Sequence, residues 1–309
     1  MSKTPILVIT GPTASGKTDV SLHCAALLDA EIISADSRQV YRGLDIGTAK
    51  PTAAERASVR HHGIDICDPS ELYTAGRFFE DAHRWIEDIQ GRGKRVIVAG
   101  GSGLYVRVLT QGLFEGPASD PVLREKLEKR LREEGKGALL RELSERDPKM
   151  AAEIDVNNPV RIVRALEVCL LTGQAYSRLR TEKMRRSPHR YRSVGIAWER
   201  SILHARINAR VDAMMEAGLV DEVRGLLEAG ADPAWNALNT VGYKEICSYL
   251  LSLLPIETAV EQVKTNTRRF ARRQLTWFRR DADLRWYEAD AGFTAENKAR
   301  RIVADLELE

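Results

Sequence analysis

Lys17 and Thr18 close the run GPTASGKT (Gly11, Pro12, Thr13, Ala14, Ser15, Gly16, Lys17, Thr18), which fits G-x-x-x-x-G-K-[ST]. Such a loop offers successive backbone amides to a chain of phosphates. Its lysine puts a positive charge on the distal phosphate, and its threonine hydroxyl can ligate Mg²⁺. The loop alone does not say whether the phosphates belong to a nucleotide or to another diphosphate. An ATPase usually carries a second strand ending in Asp. RVIVAGG ends in glycines instead, and the run that ends in Asp is EIISAD. That places Asp36 at the carboxyl end of a strand, where open α/β sheets bind ligands. A carboxylate there can take a proton or ligate a metal through water; it can equally be a turn or cap aspartate. Ser37 and Gln39 follow it as further polar groups. In AGGSGLYVRVL, Gly100, Gly101 and Gly103 allow a ligand to approach the backbone, with Ser102 as a donor, or else serve tight packing. Arg206 and Arg210 lie four residues apart in SILHARINARVDAMM, as site cations or as ordinary surface bases.

The elements that must carry these groups alternate. PILVIT reads as a strand, and Gly16 to about Leu28 as a helix with Val20, Cys24, Leu27 and Leu28 on one face. EIISAD is a second strand. AGRFFEDAHRWIEDIQ is a helix with Phe78, Phe79, Ala82, Ile86 and Ile89 at helical spacing, stopped by GRG. RVIVAGG is a third strand, and its continuous apolar run implies a parallel sheet covered by helices. At residues 112–120, GLFEGPASD reads as a linker. Two helices with the same design follow: Asp120 as cap, Pro121 in the first turn and Leu123, Leu127 and Leu131 inward; then Asn158, Pro159, Val163, Leu166 and Leu170, ending at Gly173. Residues from about 117 to 185 therefore read as all-helical, YRSVGIAW as a late strand of the core sheet, and everything from Ser201 onward as helical. The expected fold is α/β: a P-loop NTPase-like parallel sheet flanked by helices. Residues 1–116 and 187–309 form the core, including the helical C-terminal part, and residues 117–186 form an all-helical insertion domain.

The totals are those of a globular protein, with 43% hydrophobic and 29% charged residues in 309. No apolar run reaches the roughly eighteen residues of a membrane span, and the N-terminal run is too short for a signal-peptide core. Cys24, Cys67, Cys169 and Cys247 are scattered without C-x-x-C or zinc spacing. They read as reduced core thiols of a cytoplasmic protein. The net charge of +3 is small, but bases concentrate between Arg161 and Arg210 and again from Lys264 to Arg280, where Phe270, Trp277 and Phe278 interleave. That pattern suits phosphate contact plus base stacking, or else solvated helix faces.

GPTASGKT, DSRQVYRGLDIGTAKP, GGSGLY, NPVRIVRALEV and RRQLTWFRR follow one another as in the tRNA dimethylallyltransferases, over nearly the whole chain. The sequence resembles the bacterial form; the Cys/His pairs of the zinc finger that eukaryotic relatives usually carry are not found in it. The resemblance implies a P-loop that holds dimethylallyl diphosphate rather than ATP. It implies transfer of the dimethylallyl group to N6 of the adenosine just 3′ of the anticodon, with Mg²⁺ on Thr18. By the same resemblance, Asp36 is the general base, Lys17 and Thr18 serve the diphosphate, and Arg210 rather than Arg206 reaches it. The tRNA contacts fall on Asp36, Ser37, Arg38, Gln39, Ser102, Arg124, Arg161, Arg164, Thr240, Gly242, Tyr243, Lys244, Arg272, Arg273, Gln274, Trp277 and Arg279. The insertion is expected to lean over the anticodon loop and to move as a body about GLFEGPASD and Ser187–Pro188. A monomer without membrane attachment is expected. The alternatives are an adenylate isopentenyltransferase and a P-loop small-molecule kinase.

Overall fold

A strand buried on both faces needs helices above and below it. β1 (Ile6–Thr10), with every residue buried, is such a strand in a computed structural model that describes residues 4–290, 292 and 294–308. The chain continues through α1 (Lys17–Leu28), β2 (Ala30–Ser34), α2 (Ala53–Ser58), β3 (His61–His62), α3 (Ala75–Gly91), β4 (Arg95–Gly100) and α4 (Gly103–Gln111). A second unit follows, with β5 (Leu113–Phe114), α5 (Pro121–Glu134), α6 (Lys136–Arg146), α7 (Pro148–Glu153), α8 (Pro159–Thr172), α9 (Tyr176–Glu182) and β6 (Met184–Arg185). The first unit resumes with β7 (Tyr191–Trp198), α10 (Arg200–Glu216), α11 (Leu219–Glu228), α12 (Tyr243–Leu250), α13 (Ile256–Phe278), β8 (Arg285–Ala289) and α14 (Ala295–Asp305). The two units divide at Thr110 and Ser187, the second being Gln111–Arg186.

The first unit is built on six parallel strands in the order β3-β2-β4-β1-β7-β8. β1 sits inside it, with Val8 opposite both Val98 and Ser193. Leu7 and Ile9 share a core with Cys24 of α1 and Ile302 and Val303 of α14. α3 packs against β2 and β4 and buries Phe78, Phe79, Ala82, Ile86 and Ile89, as their spacing predicts. On α1, Val20, Cys24 and Leu28 are buried, but Leu27 is exposed; Ala25 takes the place expected of it. Two edge strands depart from the sequence reading. RWYEA was expected to be helical; it is β8, which pairs with β7 and buries only Tyr287 and Ala289. β3 is a short, polar pair of histidines alongside Ile32 and Ile33. At an edge, backbone pairing and one or two inward side chains suffice, so the apolar signal is weak.

The second unit has its own core, with Leu127, Leu139, Leu143, Ile162, Val163 and Leu166 at its centre. Its helices start where the capping residues predict. Asp120 accepts from the Leu123 amide (2.9 Å) and Asn158 from the Arg161 amide (3.3 Å), each with proline in the first turn; Gly173 ends α8 at φ 68°. It is not all-helical, because β5 and β6 pair antiparallel through Phe114 and Met184. Among the described residues no helix is long and apolar enough to cross a membrane, and the four cysteines are buried and free.

Candidate active site

The loop after β1 turns because its glycines adopt shapes other residues resist. Gly16, the residue before α1, sits at φ 83°, and a Cβ on Gly11 would lie 2.8 Å from both the Ile196 carbonyl and the Ser15 hydroxyl. The loop is held from outside. Trp198 Nε1 donates to the Ser15 carbonyl (2.9 Å) and Arg206 Nε to the Ala14 carbonyl (2.9 Å), with the Arg206 guanidinium 4.5 Å over the Trp198 ring. The Thr13 amide donates to Gln274 Oε1 (2.9 Å) and the Ser15 amide to the Pro12 carbonyl (3.3 Å). The amides of Ala14, Gly16, Lys17 and Thr18 have no partner among the described residues. Unpaired amides at a helix start form a cradle for an anion.

Lys17 Nζ donates to the Pro12 carbonyl (3.3 Å). Burial pushes its ammonium down to about 8, the positive charge of Arg210 adds to that, and Asp36 opposes it. Arg210 is half-buried and has no hydrogen bond or ion pair among the described residues; burial holds it below its usual value, against the pull of Asp36 and Asp19. These three groups therefore feel one another's charge. Such a cluster is unfavourable when empty and favourable around an anion.

Asp36 lies just past β2. Its Oδ1 accepts from the Arg38 amide (2.9 Å) and weakly from that of Gln39 (3.4 Å), which is the turn role left open by the sequence. Its other oxygen has no partner among the described residues, and the residue lines a cavity of about 330 Å³ together with Lys17, Thr18 and Arg210. The loop behind it is tied to itself. Gln39 accepts from Ser34 Oγ (2.9 Å) and donates to the Ala49 carbonyl (3.1 Å), and Lys50 reaches the Tyr41 carbonyl and Asp45 (both 2.6 Å). Glu222, which sequence reasoning missed, accepts from the amides of Asp45 (3.0 Å), Ile46 (2.7 Å) and Gly47 (3.3 Å). Its position on α11, far along the chain from this loop, left no local signal.

The glycines at the end of β4 and just after it serve close packing. A Cβ on Gly100 would lie 2.1 Å from the Ala35 carbonyl, and one on Gly103 2.2 Å from the Trp277 ring. Ser102 donates its amide to that same Ala35 carbonyl (3.1 Å) and lines the cavity. α10 supplies Ile207, Val211 and Met214 to the wall around Arg210, so one helix face offers both a charge and an apolar surface. A second cavity, of about 520 Å³, shares Lys17, Thr18 and Arg210 with the first and is also lined by Arg206.

Residues 39–281 match the model of the family described as IPP transferase. The chain belongs to the IPP transferase family. It is 48% identical over 292 residues to the tRNA dimethylallyltransferase of Geobacter metallireducens, covering 94% of each chain. It is 46% identical over 293 residues to that of Geobacter sulfurreducens, again covering 94% of each. Among solved structures it resembles the tRNA isopentenylpyrophosphate transferase of Bacillus halodurans, with 41% identity, a TM-score of 0.72 and coverage of 99% of this chain and 97% of that one. It also resembles a eukaryotic dimethylallyltransferase acting on tRNA, with 27% identity, a TM-score of 0.82 and coverage of 98% and 78%. Neither the adenylate isopentenyltransferase nor the small-molecule kinase reading is favoured by this likeness.

In this IPP transferase-family chain the residues expected to touch tRNA separate into groups. Ser37, Arg38, Gln39, Ser102, Thr240, Gly242, Lys244 and Arg273 line the smaller cavity with Asp36. Arg272, Arg273 and Arg279 are exposed on or just past α13, where Arg273 lies 5.7 Å over the half-open ring of Phe270. Trp277 is half-buried against Gly103. Other expected contacts are engaged within the protein. Tyr243 is fully buried, with its hydroxyl donated to Glu222 (2.6 Å), so it braces the loop at residues 45–47 rather than facing solvent. Gln274 is 7% exposed and both ends of its amide are bonded to backbone. Of the neighbouring bases, Lys264 pairs with Asp212 (2.7 Å) and Arg268 bonds Asn208 (2.6 Å), so they bind α13 to α10. In the second unit, Arg161 is exposed; Arg164 is held by Glu167 and the Pro117 carbonyl (both 2.7 Å) and Arg124 by Glu128 (3.2 Å), so three of the expected contacts lie on this unit.

Proposed function

We propose that this chain transfers the dimethylallyl group of dimethylallyl diphosphate to N6 of the adenosine immediately 3′ of the anticodon in tRNA. The carrying observation is that Lys17, Thr18 and Arg210 line two cavities at once: one is also lined by Ala14 and Gly16, whose amides are unpaired among the described residues, and the other by the half-free carboxylate of Asp36. The allylic C–O bond breaks with its electron pair going to diphosphate, and the amides with Lys17 and Arg210 stabilise that charge. The C–N bond forms at N6, and the proton lost from that nitrogen passes to the unpartnered oxygen of Asp36. The apolar side chains of Ile207, Val211 and Met214 keep water from the allyl group.

No group of three His, Cys, Asp or Glu among the described residues could hold a metal by itself. The Thr18 hydroxyl has no partner among those residues and would be the protein's ligand to Mg²⁺ held mainly by phosphate oxygens. Bound there, the ion would neutralise charge on the leaving diphosphate. The exposed arginines of α13 and Phe270 at the mouth suit an RNA backbone and an unstacked base, and the second unit, through Arg161, is proposed to meet the anticodon loop. The chain is read as a cytoplasmic monomer.

The test is a transfer assay with labelled dimethylallyl diphosphate, Mg²⁺ and unmodified tRNA, with AMP and ATP as competing acceptors. Label in tRNA at that adenosine is the expected result; label in AMP or ATP, or in no acceptor, overturns the proposal.

A further inference from the structure

Gln274 sits in the most basic stretch of the chain, between exposed Arg272 and Arg273 on one side and Trp277 on the other, yet it turns inward. A buried amide must satisfy both of its ends. Here Oε1 accepts from the Thr13 amide and Nε2 donates to the Gly101 carbonyl, each at 2.9 Å. Only one orientation of the side chain does this, because an N–H requires an acceptor and a carbonyl a donor. The contact is close: a Cβ on Gly101 would lie 2.4 Å from Gln274 Nε2 and 3.6 Å from the Gly11 carbonyl. Among the described residues no other hydrogen bond joins the P-loop to the turn after β4.

We infer that Gln274 is a positioning residue for the diphosphate: by holding Thr13 and Gly101 together it sets which amides of the P-loop face the anion. The Thr13 amide is withdrawn from the cradle, which leaves those of Ala14, Gly16, Lys17 and Thr18 as the unpaired amides of the loop among the described residues. Thr13, Gly101 and Gln274 all line the cavity that holds Lys17 and Asp36, so a shift in this tie moves the site itself. The inference rests on the diphosphate reading above, and it gives a residue expected among the RNA contacts a role on the donor side.

Gln274→Met keeps the volume and removes both hydrogen bonds. Binding of inorganic diphosphate and of dimethylallyl diphosphate to the free protein should weaken about tenfold, from the loss of two ordinary hydrogen bonds. The KM for the donor should rise in parallel, with affinity for an anticodon stem-loop changed by less than about twofold and the melting temperature lowered by the two backbone groups left unpaired. Gln274→Glu adds a readout that a packing role would not move. The ionised carboxylate can accept from Thr13 but cannot donate to Gly101. Once protonated it does both, so donor affinity relative to the unaltered protein should recover as pH falls, and the Met variant should show no such recovery. Unchanged diphosphate binding in a folded Gln274→Met protein overturns the inference. So does loss of stem-loop affinity with donor affinity intact. If the Met variant does not fold, a Glu variant whose affinity ratio is flat with pH overturns it. Should the unaltered protein bind diphosphate in this Gln274-dependent way yet transfer nothing to tRNA, the functional reading fails and the positioning role stands.

Discussion

Arg206 and Arg210 stand one turn apart on α10, and only Arg206 is tied to the protein, through the Ala14 carbonyl and the face of Trp198. Arg210 faces both cavities with its charge unpaired among the described residues. Removing the two should therefore do different things. Arg210→Gln is expected to lower kcat/KM for the donor by about 10²–10³, the usual loss for one transition-state contact, and to leave the melting temperature unchanged or higher. Arg206→Gln loosens the loop, so its main effect should be a lower melting temperature with a smaller kinetic loss. Steady-state kinetics and thermal melts on both variants check this; equal kinetic losses would contradict it.

Lys17 makes donor binding pH-dependent. Its folded-state value of about 8 lies below the ordinary 10.5, and a bound diphosphate raises it. Above about pH 8 the free protein must therefore take up a proton to bind the donor, and affinity should fall with rising pH; below it this group adds no dependence. Calorimetry in buffers of different ionisation enthalpy should find uptake approaching one proton at about pH 9 and little at about pH 7. In the empty protein the unfolded chain holds the proton more tightly. Stability from this group is thus reduced below about pH 8 and recovers as pH rises toward 10.5. Lys17→Met should raise the melting temperature at neutral pH while abolishing donor binding.

Asp36 has two jobs that one substitution separates. Asn keeps an oxygen for the Arg38 and Gln39 amides but is no base. Asp36→Asn should lower turnover by roughly 10²–10⁴ with tRNA affinity and stability retained. Single-turnover transfer and filter binding measure both; near-normal turnover would reassign the base.

Tyr243 and Glu222 form one brace. Tyr243→Phe should cost about 1 kcal/mol of stability and Glu222→Gln about 1–3 kcal/mol, since the latter carboxylate serves three amides and a phenol. Denaturant unfolding reads the stability. A Tyr243→Phe protein with normal stability but weakened tRNA binding would assign Tyr243 to the RNA contacts instead of the brace.

The salt dependence of tRNA binding should follow exposure rather than charge count. Replacing Arg272, Arg273 or Arg279 by Gln is expected to flatten the slope by about one unit each. Lys264→Gln and Arg268→Gln should leave the slope unchanged and lower stability, because those bases hold α13 to α10.

What the residues disclosed at the outset depended on how local the signal was. The P-loop, the caps at Asp120 and Asn158 and the α3 stripe are set by neighbours within a few positions, and each stands where its spacing puts it. β8 was hidden because an edge strand with two inward residues has little apolar pattern. Which arginines of α13 face inward could not be read from charge, since Lys264, Arg268 and Gln274 find their partners on other elements. Glu222 was hidden for the same reason: the amides it serves lie far away in sequence.

The strand order also bears on synthesis. β1 and the P-loop emerge well before their partners: β1 pairs with β7, and the loop is gripped by Trp198, Arg206 and Gln274, more than 180 residues later. α14, which follows all of these in the chain, packs on α1. Contacts of such long sequence separation form late and slowly. A ribosome that has made the first half of this protein has therefore made a phosphate-binding sequence without a phosphate-binding site, and a chain released early leaves a half-covered sheet for chaperones and proteases to find.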